Sequence, residues 1–132
     1  MSKKEGGVPN LTIEEINNLV CHLIDLYETC SPFEMCKKMG INTLILELPN
    51  TIEGFFVNSA EIEEKSYVSI LINELVPEEK REKVCAHELG HVILHKDINS
   101  EKCEDGHNVY IESFEFEAEM FSLILLEKNK NN

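Results

Sequence analysis

No apolar run in this 132-residue sequence approaches the ~18 residues that a membrane-crossing helix needs, so a membrane-spanning helical protein is not expected. Met1-Ser2-Lys3-Lys4-Glu5-Gly6-Gly7 carries charge with no apolar stretch behind it. A secretory signal is therefore not expected, and residues 1–10 read as a disordered lead. There is no C-x-x-C pair, and the five cysteines (Cys21, Cys30, Cys36, Cys85, Cys103) are odd in number. That argues against a disulfide framework and for reduced thiols in a cytoplasmic setting, each acting as a small apolar side chain. Cys103 alone falls in a loop near the motif described below. Basic residues are scarce, 12 against 25 acidic ones, for a formal net charge of −13. Between Asp97 and Glu127 nine acids face one base, Lys102. Such a surface repels phosphate backbones and argues against direct nucleic-acid binding. It suits solubility, and it would also attract a basic partner. Repeats, low-complexity tracts and Pro/Gly/Ser linkers are missing too, so a single domain over residues 11–127 with a polar tail at 128–132 is expected.

Within that domain the periodicity changes twice. Leu11, Ile13, Ile16, Leu19, Val20, Leu23, Ile24 and Tyr27 recur at helical spacing behind Thr12, a natural cap. Ser31-Pro32-Phe33-Glu34 has the form of a second helix start, and Gly40 of its stop. Ile41–Leu48, Glu53–Asn58 and Ser66–Ile72 read as strands rich in Ile, Val and Phe. Tyr67–Ile72 is either a candidate edge for pairing with an extended substrate or core sheet. A helix starting at Pro77, a polar loop over about residues 97–108 and a last helix over about 111–127 complete an α+β fold.

The chemistry concentrates in the helix that starts at Pro77, where His87-Glu88-Leu89-Gly90-His91 spells H-E-x-x-H. Proline in the first turn with acids behind it makes a well-formed helix start. Two histidines four residues apart share one helix face, so both imidazoles reach a single ion. Glu88 is placed to take a proton from water activated by that ion. On a helical wheel Cys85, Ala86, Leu89, Val92 and Ile93 form the apolar face, with His87 and His91 opposite. Such a helix suits the wall of a cleft, and the chemistry points to a zinc-dependent hydrolase, one Zn2+ per chain.

A catalytic zinc keeps three protein ligands and one open position. The spacing H-E-x-x-H-x-x-G-x-x-H fails, because Leu94 and Asp97 occupy the glycine and third-histidine positions. Asp97, His107, Glu112, Glu115, Glu117 and Glu119 remain as candidates. In the last helix Phe114, Ala118, Phe121 and Leu125 form the apolar stripe. Glu115 and Glu117 flank it on opposite sides, and helical geometry does not choose between them. His95 lies one turn beyond His91, as a helix-end histidine favoured by the dipole or as a residue supporting the metal ligands or the substrate. His107 and Tyr110 are candidates for donating a hydrogen bond to a developing oxyanion.

Cys85-Ala86-His87-Glu88-Leu89-Gly90-His91-Val92-Ile93-Leu94-His95, followed by Glu115-Phe116-Glu117-Ala118-Glu119-Met120-Phe121, resembles the ImmA/IrrE family of metallopeptidases over about residues 40–127. That family pairs an A-H-E-L-G-H helix with a helix of the type E-x-E-A-N-x-F-A. The resemblance implies a minimal zincin-like domain with Glu115 as third ligand and Glu117 as the alternative. It also implies that Glu119, which replaces the family's usual Asn or Asp, accepts the outer N–H of a liganding histidine. It further implies site-specific cleavage of a basic helix-turn-helix repressor of a phage or mobile element. The alternative function is a regulatory protein that sequesters such a repressor without cutting it, its zinc structural or vestigial. An intact His-Glu-His set favours the enzyme, since a purely structural site has no use for Glu88. Two departures stand out: the sequence ends in Glu127-Lys128-Asn129-Lys130-Asn131-Asn132 where the family often continues, and it carries no recognisable DNA-binding domain. A minimal catalytic unit that works with a separate partner is expected.

Overall fold

The computed structural model describes residues 11–58, 67–95 and 108–131. The expected lead at residues 1–10 lies outside these. Helix α1 (Ile13–Tyr27) opens with a reciprocal cap. The Glu15 N–H donates to Thr12 Oγ1 at 3.0 Å, and the Thr12 N–H donates to Glu15 Oε1 at 2.9 Å, satisfying two otherwise free donors. Helix α2 (Pro32–Met39) starts on Ser31, with Pro32 in its first turn, and ends on Gly40 at φ 79°, a left-handed conformation that glycine adopts without steric cost.

Three short strands follow: β1 (Asn42–Leu46), β2 (Gly54–Asn58) and β3 (Val68–Asn73). Their order is β1-β3-β2, with β1 parallel and β2 antiparallel to β3. Strand β3 is therefore central, paired on both sides. Of the two readings of Tyr67–Ile72, core sheet holds, and among the described residues β2 is the edge strand that adjoins the motif helix. Ile70 and Ile72 of β3 are fully buried, as the inner positions of a sheet covered on one face.

Helix α3 (Glu78–His95) packs on β2 and β3, and helix α4 (Asn108–Lys130) packs on α3 and α1. Among the described residues no helix is long and apolar enough to cross a membrane. Helix α4 runs on to Lys130, past the expected end at 127, and takes up most of the tail assigned to 128–132. Its stripe of Phe114, Ala118, Phe121 and Leu125 is buried as expected. Helix α3 differs from a one-sided cleft wall because it is sandwiched. Cys85, Ala86, Leu89 and Val92 are buried, and so are Gly90 and His95. Cys36 of α2 and Cys85 of α3 meet sulfur to sulfur at 3.8 Å in the core, and that contact, together with burial, pushes the Cys85 thiol well above its ordinary range.

Two residues set the distances between these layers. A Cβ on Gly90 would lie 3.2 Å from the Ala118 Cα and carbonyl oxygen and from Phe121 Cβ, so α3 and α4 approach nearly backbone to backbone. Asn73, 2 % exposed, holds the β1–β2 connection. Its amide nitrogen donates to the carbonyls of Leu48 (3.2 Å), Pro49 (3.0 Å) and Ile52 (2.8 Å), and its oxygen accepts the Leu75 N–H at 3.1 Å.

Gly90→Val should force α3 and α4 apart and cost at least about 1–3 kcal/mol, read as a fall in thermal midpoint. Asn73→Asp keeps the shape but turns the three-carbonyl donor into an acceptor. It should cost ~2 kcal/mol or more, whereas substitution at exposed Asn50 should leave the midpoint almost unchanged.

Candidate metal centre

Helical rise places Lys83, His87, His91 and His95 at four-residue intervals along one stripe of α3. The close contact at Gly90 brings Glu115 of α4 against the middle of that stripe. His87 Nε2 lies 2.9 Å from Glu115 Oε1, and His91 Nε2 lies 3.0 Å from Glu115 Oε2. One ligand atom from each of His87, His91 and Glu115 lies within 4.8 Å of the other two. Two imidazole nitrogens and one carboxylate are a donor set suited to a hydrolytic zinc. The outer ring nitrogens support the fit. His87 Nδ1 is 3.1 Å from Glu119 Oε1, and His91 Nδ1 is 2.9 Å from His95 Nδ1. With each Nδ1 engaged outward, both Nε2 atoms point to a common centre, as ligands do.

The electrostatics follow from these contacts. The hydrogen bonds of His87 and then His91 hold the Glu115 carboxyl well below the ordinary carboxylate range. The same Glu115 contact raises the His87 imidazole against the opposing effect of burial. Lys83, 2.9 Å from Glu119 Oε2, is the main reason that the Glu119 carboxyl is held low. Glu88 moves the other way: burial raises it, with Glu115 adding repulsion, against attraction from His91 and His87. A carboxylate made more basic beside three groups that could hold a metal ion is suited to accepting a proton.

A cleft of about 720 Å³ opens between β2 and the first half of α3, lined by Gly54, Lys80, Val84, His87, Glu88 and Glu115 among others. Gly54 makes that juxtaposition feasible. A Cβ there would lie 2.8 Å from both the Leu71 carbonyl oxygen and Val84 Cγ1, and 3.7 Å from Glu88 Cγ. Two residues on, the Phe56 ring stacks against His91 with centroids 6.5 Å apart.

The structure thus gathers His87, Glu88, His91, Glu115 and Glu119 in one place. Glu117 is not in the ring. It is 1 % exposed, and its carboxylate faces His95 Nε2 at 2.9 Å and the Leu11 N–H at 2.8 Å. Glu112 is exposed. Asp97, Cys103 and His107 lie outside the described residues, as does the side chain of Tyr110. Sequence reasoning missed Lys83, Gly54 and Phe56. For Lys83 the signal was present, since it stands one turn before His87 on the same stripe; Gly54 and Phe56 act through a tertiary contact that no local pattern announces.

Residues 36–128 match the family model of the IrrE N-terminal-like domain, a peptidase family. Over 111 residues the chain is 32 % identical to the "Uncharacterized immunity region protein 2" of Bacillus phage phi105, spanning 84 % of this chain and 67 % of that protein. No solved structure gives a significant match. With the family match extending from α2 through both helices that carry His87, His91 and Glu115, the chain belongs to the family of IrrE N-terminal-like peptidase domains, metallopeptidases of the ImmA/IrrE type.

Proposed function

We propose that this protein is a zinc-dependent endopeptidase that cuts a helix-turn-helix repressor of a phage or mobile element at a specific site. The observation that carries the reading is the convergence of His87, His91 and Glu115 on one centre beside a partly buried Glu88 whose basicity is raised. In this reading His87, His91 and Glu115 hold the ion, and Glu119 fixes the orientation of His87. Bound there, zinc supplies Lewis acidity toward a peptide carbonyl and lowers the pKa of water to about 7. Glu88 takes the proton of the attacking water and delivers it to the departing amine. The cleft beside β2 admits an extended chain, with the open edge of β2 as the place for it to pair.

The repressor substrate is supported by two observations. The phage relative is named for an immunity region. The net charge of −13 favours a basic partner such as a DNA-binding protein.

The test is incubation with the repressor encoded beside the gene, with and without a chelator, followed by mass spectrometry. Metal-dependent fragments ending at one defined bond are expected. Tight, metal-independent binding with no fragments would favour sequestration over cleavage. Glu88→Gln should retain zinc and lose about 10²–10⁴-fold in cleavage rate, whereas His87→Ala and His91→Ala should lose the metal. Cleavage by the glutamine variant at the unsubstituted rate would remove Glu88 from the base role. Docking should weaken markedly between ~0.05 and ~0.5 M salt if charge steers it, and binding indifferent to salt would remove that argument.

A further inference from the structure

His87 and His91 receive their outer hydrogen bonds in different ways. His87 Nδ1 meets a carboxylate directly, Glu119 at 3.1 Å. His91 Nδ1 meets another imidazole, His95 Nδ1 at 2.9 Å, which leaves open which ring holds the shared proton. The answer decides whether His91 Nε2 carries a lone pair toward the metal centre or a proton that blocks it.

The groups behind His95 resolve this. Its other nitrogen, Nε2, lies 2.9 Å from Glu117 Oε1, and both side chains are buried, 4 % and 2 % exposed. The second oxygen of Glu117 is taken by the backbone N–H of Leu11 at 2.8 Å. A backbone amide is only a donor, so Glu117 Oε2 accepts there, and an ionised carboxylate, having no proton to give, accepts the His95 Nε2–H at Oε1. His95 Nδ1 then holds a lone pair and His91 Nδ1–H donates to it, so that His91 Nε2, which meets Glu115 Oε2 at 3.0 Å, is the nitrogen whose lone pair a metal would take. The His95 ring is held in plane by stacking on Phe114, with centroids 4.2 Å apart and 23° between planes. Leu11 precedes α1 and stands outside the stretch that matches the family, residues 36–128.

We propose that Glu117 and His95 are positioning residues forming a buried relay that runs from the Leu11 amide to His91 and sets its tautomer for metal binding. The inference rests on the metallopeptidase reading for its purpose, though not for its geometry. Glu117 is then no spare acid of the ligand helix. It does for His91, through one intervening ring, what Glu119 does for His87 directly. The N-terminal approach to α1 becomes part of the support of the metal centre.

The tautomers can be read in the full chain by long-range ¹H–¹⁵N correlation of the imidazoles, with no substitution. Nε2–H is expected on His95 and Nδ1–H on His91. Glu117→Gln preserves size but changes the polarity. Its amide oxygen goes to the Leu11 N–H and its NH₂ faces His95, which must then accept at Nε2 and donate from Nδ1, leaving His91 with a proton on Nε2. That variant should stay folded by circular dichroism, show the inverted tautomers, lose about 10–100-fold in zinc affinity by chelator competition and change its Co²⁺ absorption bands. Glu127→Gln, an exposed change on the same helix, should do none of this. Nδ1–H on His95 of the unsubstituted protein, or a folded Glu117→Gln protein with unchanged zinc affinity and cobalt bands, would overturn the relay. Failure of the unsubstituted chain to take up zinc would instead count against the peptidase reading, while the tautomers would still decide the relay.

Discussion

The architecture depends on how closely two helices approach. Because Gly90 has no side chain, the backbone of α4 at Ala118 lies directly against α3, and a carboxylate one turn earlier, at Glu115, reaches both imidazoles of the motif. A pair of helices packed through ordinary side chains sits about 8–10 Å apart. A glutamate has little length to spare for bridging such a gap and also meeting two histidines. The glycine in the middle of H-E-L-G-H therefore has a geometric role as specific as that of the residues around it.

Three glutamates on α4 show how environment divides labour among identical side chains. Glu115 and Glu119, one turn apart, face the stripe of histidines on α3, and each is held ionised by a cationic or proton-donating neighbour. Glu117, between them in sequence, lies across the buried stripe and is enclosed by His95 and the Leu11 amide. A fourth glutamate, Glu88 on α3, is partly buried beside the cleft, and that burial makes it more basic. The strongly acidic composition thus contains at least four carboxylates with distinct chemical situations beside its solvated ones.

Much of this was legible in the sequence where local rules govern. The caps at Thr12 and Ser31, the stop at Gly40, the strand-like runs and the apolar stripe of α4 all follow from residue type and spacing, and the structure has them. The H-E-x-x-H spacing placed two imidazoles on one face because helical rise leaves no alternative. What depended on tertiary neighbours was not legible. β3 is central only because β1 and β2 pair on either side of it. α3 is buried on two sides only because α4 returns over it. The side of the α4 stripe that meets the histidines depends on the roll of that helix, which Gly90 and Ala118 set together, so spacing alone left Glu115 and Glu117 level. Asn73 follows the last strand-like run with no local signal of its role, and its three carbonyl partners come from a segment some 20–25 residues away.

The sulfur pair at Cys36 and Cys85 bears on metal traffic. Thiolates bind soft and borderline cations more strongly than imidazole and carboxylate groups do, and Cys85 stands only two residues before His87. An ionised sulfur there would compete for any incoming zinc and draw it into the wrong coordination. Enclosed in the core and kept protonated by its neighbour and its burial, Cys85 cannot act as that decoy for a metal approaching the oxygen- and nitrogen-donor site.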